Sequence, residues 1–195
     1  LLKLTGAAVS PAEELLAGAG IDDVKVTRTS GMLSDHYNPV NKTLALSDGV
    51  YGSTSVAAIG IAAHEAGHAI QHKEHYAPLW IRSMLVPTAN IGSSLGYMVM
   101  LFGLLFASTN MVAVGALLFS AVLLFQIVTL PVEFNATSRA KALIINRGII
   151  TERERVGVDK VLNAAALTYV AAAITTLLTL LYFLMRSGLL GGSRD

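Results

Sequence analysis

Cysteine is absent from the 195 residues, which excludes disulfides and every thiolate metal site. Any metal this chain holds must therefore sit on histidine and carboxylate. Charge is scarce as well: 14% of residues are charged, against roughly 25% in ordinary soluble domains. The deficit is concentrated, with no charged residue from Ser83 to Val132 and none from Val161 to Met185. A transmembrane helix needs about 20 apolar residues, so the first run holds two spans and the second holds one. A formal net charge of +1 gives no reason to expect a nucleic acid or an acidic polymer as partner. The chain opens on Leu1 with no signal-peptide pattern, and a segment ahead of it is expected.

Outside the uncharged runs the chain punctuates itself clearly. Ser10-Pro11-Ala12-Glu13 predicts a helix start, with a serine cap, proline in the first turn and glutamate completing a capping box. Gly20 is its expected stop. "DVKVTR" (23–28) and "TLALS" (43–47) alternate apolar and polar residues and predict strands. "TLALS" is also a candidate edge along which an extended peptide could pair. The intervening "SDHYNPVNK" is turn-rich, and an Asp48-Gly49 turn closes the sheet. From Ser53 to about Tyr76 the spacing predicts a helix capped by Ser53, Thr54 or Ser55, with Pro78 ending it. Spans are expected over about 84–107, 111–132 and 164–185, with Ser108-Thr109-Asn110 as a tight hairpin turn. "NIGSSLG" (90–96) supplies small residues through which helices can approach.

Lysine and arginine set the orientation. Residues 1–83 carry six and residues 133–163 carry six, while the hairpin turn carries none and the tail two. Both basic segments fall on one side of the hairpin, and the positive-inside rule makes that side the cytoplasm. The chain thus divides into a cytoplasm-facing region 1–83, a transmembrane hairpin 84–132, a cytoplasm-facing helical segment 133–163, a transmembrane helix 164–186 and a flexible tail 187–195.

Four of the five histidines lie within "AAHEAGHAIQHKEH" (62–75). His64-Glu65-Ala66-Gly67-His68 matches H-E-x-x-H on a predicted helix, where residues four apart share a face and two imidazoles can converge on one Zn²⁺. Glu65 stands one position round and can act as general base towards water without being a ligand. His72 lies eight residues from His64, about 12 Å along a helix, too far for one ion to bridge. A motif of the H-x-x-G-x-x-H type needs glycine and histidine where this chain has Gln71 and Glu74. His75 could serve only if the helix ended early. Glu133, the first charged residue after fifty uncharged ones, returns across the hairpin to the same side and would complete a His₂Glu catalytic set. Asn135, Thr137 and Arg139 follow on the same helix as candidates for orienting the ligands, and His36, Tyr37, Tyr76 and Arg139 are candidates for stabilising an oxyanion.

The stretches "SDHYNPVNKTLALSDGVY", "SVAAIGIAAHEAGHAIQH", "LVPTANIGSSL", "LFQIVTLPVEFNATSRA" and "KVLNAAALTYVAAA" resemble the bacterial membrane-bound neutral zinc metallopeptidases of the YugP type. The resemblance covers most of residues 34–175. It implies a zinc-dependent endopeptidase of the bacterial cell membrane, with zinc on His64, His68 and Glu133, Glu65 as general base, and a membrane helix preceding this chain. In the broader membrane gluzincins an acidic residue follows the ligand glutamate by four, and here that position is Thr137.

The expected fold is a mainly α integral membrane protein, with about three transmembrane helices and a small α+β zincin-like region carrying the H-E-x-x-H helix. The expected function is hydrolysis of peptide bonds at the cytoplasmic membrane surface, with Zn²⁺ as cofactor. Expected partners are the lipid bilayer, a protein or peptide substrate, and further membrane proteins or a second copy of the chain. The rival reading is a membrane adaptor or chaperone-like protein with a structural metal. Glu65 separates the two, since a purely structural site has no use for a carboxylate beside its ligands.

Overall fold

The structure is a computed structural model describing residues 10–191. The first nine residues of the region 1–83 and the last four of the tail lie outside the described residues. The chain divides into two compact units. One comprises the chain up to Tyr76 together with Glu133–Leu167, and the other Ala77–Val132 together with the chain from Thr168.

The first unit begins with helix α1, Pro11–Gly18. Its start is the expected one: the Ser10 side chain accepts from the Glu13 amide and the Glu13 carboxylate accepts from the Ser10 amide. Strands β1 (Lys25–Thr29), β2 (His36–Asn38) and β3 (Thr43–Ser47) form one sheet in the order β1-β3-β2. β1 pairs parallel to β3 from Lys25↔Thr43, and β2 pairs antiparallel to it from His36↔Ala45. "TLALS" is therefore the central strand, and this corrects its expected place at an edge. Both of its edges are occupied, and Leu44 through Ser47 are all buried, so it cannot pair a substrate peptide. The turn-rich segment also conceals β2, whose short run of His-Tyr-Asn carries no alternating apolar signal. Asp48 and Gly49 open a four-residue helix α2, Asp48–Tyr51, rather than a bare turn.

Helix α3, Val56–Lys73, follows. Ser55 is the residue that caps it, accepting from the Ala58 amide at 3.2 Å. Proline does not end it. His75 takes a left-handed conformation (φ 54°), and the amides of His75 and Tyr76 bond back to the His72 and Gln71 carbonyls, a closing motif that usually calls on glycine. Pro78 instead belongs to the first turn of the next helix. One face of α3 is made of Ala58, Ala62, Ala63, Ala66 and Ala69, packed in a core with Leu15 and Leu16 of α1, Leu44 and Leu46 of β3, and Ala140, Leu143 and Ile144 further along the chain. These small side chains let backbones come close. At Gly67 the approach is close: a methyl there would lie 2.5 Å from the Ala136 carbonyl oxygen.

Among the described residues, three helical runs are long and apolar enough to cross a membrane: Ala77–Leu105, Thr109–Asn146 and Arg153–Arg186. The first is built of α4 (Ala77–Ile91), a π-helical segment (Gly92–Gly96) and α5 (Tyr97–Leu105). The second is α6 (Thr109–Asn146) and the third lies within α7 (Glu152–Arg186). All three outrun the spans expected from hydropathy. α6 continues through Pro131 and does not stop at the end of its apolar stretch, and at about 1.5 Å per residue it is about 57 Å long. It ends where Gly148 (φ 62°) allows the same closing motif, with Ile149 bonded to Ile144.

In the second unit, the small residues of "NIGSSLG" serve as expected. A methyl on Gly96 would meet the Phe119 amide at 2.6 Å, and one on Gly115 the Met100 amide at 2.6 Å. Met100, Val112, Ala116, Phe119 and Phe183 form its core. Large apolar side chains cover its outside, among them Leu105, Phe106, Leu117, Leu178 and Met185.

Gly67→Ala should overpack the α3–α6 contact, at a cost of about 1–3 kcal/mol. A lowered unfolding midpoint in detergent is the expected result, and an unchanged midpoint would contradict the close approach.

Candidate metal centre

Helix geometry brings His64 and His68 to one side of α3, with ring centroids 4.9 Å apart and planes at 87°. The third member comes from α6. Glu133 Oε2 lies 3.0 Å from His64 Nε2 and 3.6 Å from His68 Nε2. One ligand atom from each of the three residues can be chosen so that all lie within 4.8 Å of one another. The carboxylate is 1% exposed and the two imidazole side chains 12% and 8%. A buried carboxylate needs a compensating positive charge, and two ring nitrogens lie within 3.6 Å of this one. Tetrahedral zinc with bonds of about 2.0–2.1 Å holds its donors about 3.3 Å apart. Two imidazole nitrogens and one carboxylate oxygen at these separations fit that ion in both geometry and chemistry.

The far side of each ring is engaged. His64 Nδ1 lies 3.3 Å from the Thr137 hydroxyl, and His68 Nδ1 lies 3.0 Å from Gln71 Oε1. Gln71 Nε2 in turn donates to Asn135 Oδ1 at 2.9 Å, which also accepts from Arg139 Nε at 2.6 Å. Arg139 Nη1 pairs with Glu74 Oε2 at 2.6 Å, and its guanidinium lies 5.9 Å from the Tyr76 ring. So Asn135, Thr137 and Arg139 all join the hydrogen bonding around the histidines. Gln71 was not among the residues singled out for the site. Its signal was present, because it lies three residues past His68 and so shares a helix face with it.

Glu65 is buried, at 8% exposure, beside His64. Among the described residues its side chain makes no hydrogen bond or ion pair, which leaves the carboxylate available to a bound molecule.

The remaining candidates are engaged elsewhere. His36 is exposed and its Nδ1 meets the Ser34 carbonyl at 2.8 Å. The Tyr37 hydroxyl is hydrogen-bonded to His72 Nδ1 at 2.6 Å. That pair lines a separate 250 Å³ cleft with Asp23, Lys42 and His75. Neither His36 nor Tyr37 makes a hydrogen bond to His64, Glu65, His68 or Glu133 among the described residues. Burial and then the charge of Asp23 raise the Tyr37 pKa to about 12. Burial first, then Lys42 and His75, hold His72 below its usual value, with Asp23 opposing them.

The comparisons with known proteins agree with this chemistry. Residues 2–188 match a family model described as "Putative neutral zinc metallopeptidase". The "Putative membrane protease YugP" of Bacillus subtilis (strain 168) is 47% identical over 174 residues, which is 89% of this chain and 77% of that protein. No solved structure matches the chain.

Glu133→Ala should weaken zinc binding by more than about 100-fold, beyond the cost of losing an outer hydrogen bond. Competition with a chromophoric chelator measures it, and unchanged affinity would remove Glu133 from the ligand set. His72 offers a pH test. Its folded pKa is lowered, so its contribution to stability is present above about pH 6.5 and is lost as the pH falls through the lowered value. His72→Gln should therefore flatten the decline in unfolding temperature between pH 7 and pH 5. An identical slope in wild type and variant would contradict this.

Proposed function

The chain belongs to the neutral zinc metallopeptidase family, and we propose that within it the protein is a membrane-embedded zinc-dependent endopeptidase. It hydrolyses peptide bonds of proteins or peptides at the cytoplasmic surface of the bacterial cell membrane. The observation that carries this reading is the convergence of His64, His68 and Glu133 next to the buried Glu65, whose side chain has no hydrogen-bond or ion-pair partner among the described residues.

His64, His68 and Glu133 would hold a zinc ion, which when bound would supply the Lewis-acid chemistry that amide hydrolysis needs. Glu65 does the proton work. Its carboxylate takes a proton from the attacking water as the oxygen bonds to the carbonyl carbon, then delivers it to the departing amine nitrogen as the C–N bond breaks. The products are a carboxylic acid and an amine, which exchange a proton and leave as a carboxylate and an ammonium. Thr137 and Gln71 hold the two imidazoles in place from behind, and burial of Glu133 fixes the third donor.

The membrane setting rests on three long apolar helices whose exposed surface is rich in leucine, isoleucine and phenylalanine, a surface that lipid accommodates and water does not. Lysine and arginine gather in residues 1–83 and 133–163, the segments that carry His64, His68 and Glu133, so the centre faces the cytoplasm. The YugP relative is named a membrane protease, in keeping with substrates met at the bilayer.

Glu65→Gln is expected to keep zinc at one per chain and to slow cleavage of a fluorogenic peptide by about 10²–10⁴-fold. Full activity would sink the mechanism. The lack of native cysteine allows a clean test of orientation. A label reaching Ser108→Cys from outside intact cells, and Ser34→Cys only after permeabilisation, is the expected pattern. The reverse pattern would place the centre on the other face.

A further inference from the structure

We propose that Arg139, Asn135 and Gln71 are positioning residues that together dictate which ring nitrogen of His68 carries its proton. They thereby present His68 Nε2 to the metal centre as a bare lone pair. The inference rests on the zinc reading above and extends it to residues that touch neither metal nor substrate.

The argument starts from a group with one hydrogen-bonding role. A guanidinium donates and never accepts. Arg139 Nε donates to Asn135 Oδ1 at 2.6 Å, so that atom of the Asn135 amide is the oxygen. The same oxygen takes a second bond, from Gln71 at 2.9 Å, so the Gln71 atom facing it is the NH₂. The other end of the Gln71 amide is then its oxygen, 3.0 Å from His68 Nδ1. An amide oxygen only accepts, so His68 Nδ1 must carry the hydrogen. In a neutral imidazole the remaining nitrogen is unprotonated, and that nitrogen, Nε2, is the one facing Glu133 Oε2 at 3.6 Å. Each link follows from the one before. Reversing any amide would set donor against donor or acceptor against acceptor.

Burial makes the polarity binding. Gln71 is 0% exposed, so a misoriented amide has little access to water that could repair the mismatch. The source of the chain is anchored too, since Arg139 pairs with Glu74 and lies near the Tyr76 ring. Gln71 and Glu74 belong to α3, while Asn135 and Arg139 belong to α6. The relay therefore closes only when these helices are docked. His64 has no such constraint, because its Nδ1 faces the Thr137 hydroxyl, which can donate or accept. The two histidines are thus inequivalent, with one tautomer set by the protein and the other adjustable.

The test uses the purified full chain in detergent. Zinc affinity is read by chelator competition, the Co²⁺ absorption spectrum is read in parallel, and unfolding of the zinc-free protein is read by heating. Gln71→Leu keeps the buried volume and removes the acceptor. Gln71→Glu restores an acceptor for His68 while placing a charge in a buried site. The relay predicts a 10–100-fold loss of zinc affinity and a shifted Co²⁺ spectrum for Gln71→Leu, in the range seen when a ligand loses its outer partner. It predicts recovery of most of that loss in Gln71→Glu. A packing role for Gln71 predicts the opposite order, with Leu tolerated and Glu harmful. Wild-type affinity in Gln71→Leu, or no recovery in Gln71→Glu, overturns the relay while leaving the zinc centre intact. If Gln71→Leu does not fold, Arg139→Met at the partly exposed end decides the matter. A several-fold loss of zinc affinity with unchanged melting supports the relay, and no loss overturns it. A wild-type chain that binds no zinc overturns both this inference and the function it rests on.

Discussion

A carboxylate with 1% exposure, set 3.0 and 3.6 Å from two imidazole nitrogens, is the interaction around which the first unit is organised. Burying a carboxylate is costly unless polar groups meet it, and α3 offers His64 and His68 on the side that faces Glu133. That requirement reaches outward. The Ser55 cap and the left-handed His75 set where α3 begins and ends, and the alanine face between them packs against α1, the sheet and α6. Gly67 leaves out a side chain that would hold the two helices apart. The candidate metal centre and the core of this unit are in effect one construction.

Small residues do related work in both units, under different physics. Between α3 and α6, Gly67 and a series of alanines bring two helices close so that polar groups can meet across the gap. In the second unit, Gly96 and Gly115 bring apolar helices equally close, where there is little polar chemistry to align and dispersion across the contact is the main return. Close backbone approach is thus the common device. In one case it positions a site, and in the other it holds helices whose outer surface suits lipid rather than water.

Much of this was legible along the chain. The capping box at Ser10, the strands at 25–29 and 43–47, the helix bearing H-E-x-x-H and the three apolar helices all follow from signals contained within a few residues of one another. Glu133 was legible in another way, as the first charge after a long silence, on the side to which a hairpin returns. Other features were not readable because they depend on what lies across space. β3 looks like an edge strand until β1 and β2 are seen to flank it. β2 has too few residues to show a period. α6 runs through Pro131 although local preference favours a break there, and Gln71 looks like one more polar residue until Asn135 and Arg139 arrive from another helix.

The sequence by itself determined the chemistry available: no thiolates, two histidines four residues apart with a glutamate between them, and apolar runs long enough for three membrane helices. These are consequences of composition and of helical spacing, which act locally. Only the tertiary structure decided which strand is enclosed, which side chains stand behind the two imidazoles, and how an arginine on α6 imposes direction on the hydrogen bonds behind His68. Each of these is a pairing between residues far apart in the chain. Such pairings are selected by close packing and by the cost of leaving a buried polar group unmatched, and neither acts until the helices have docked.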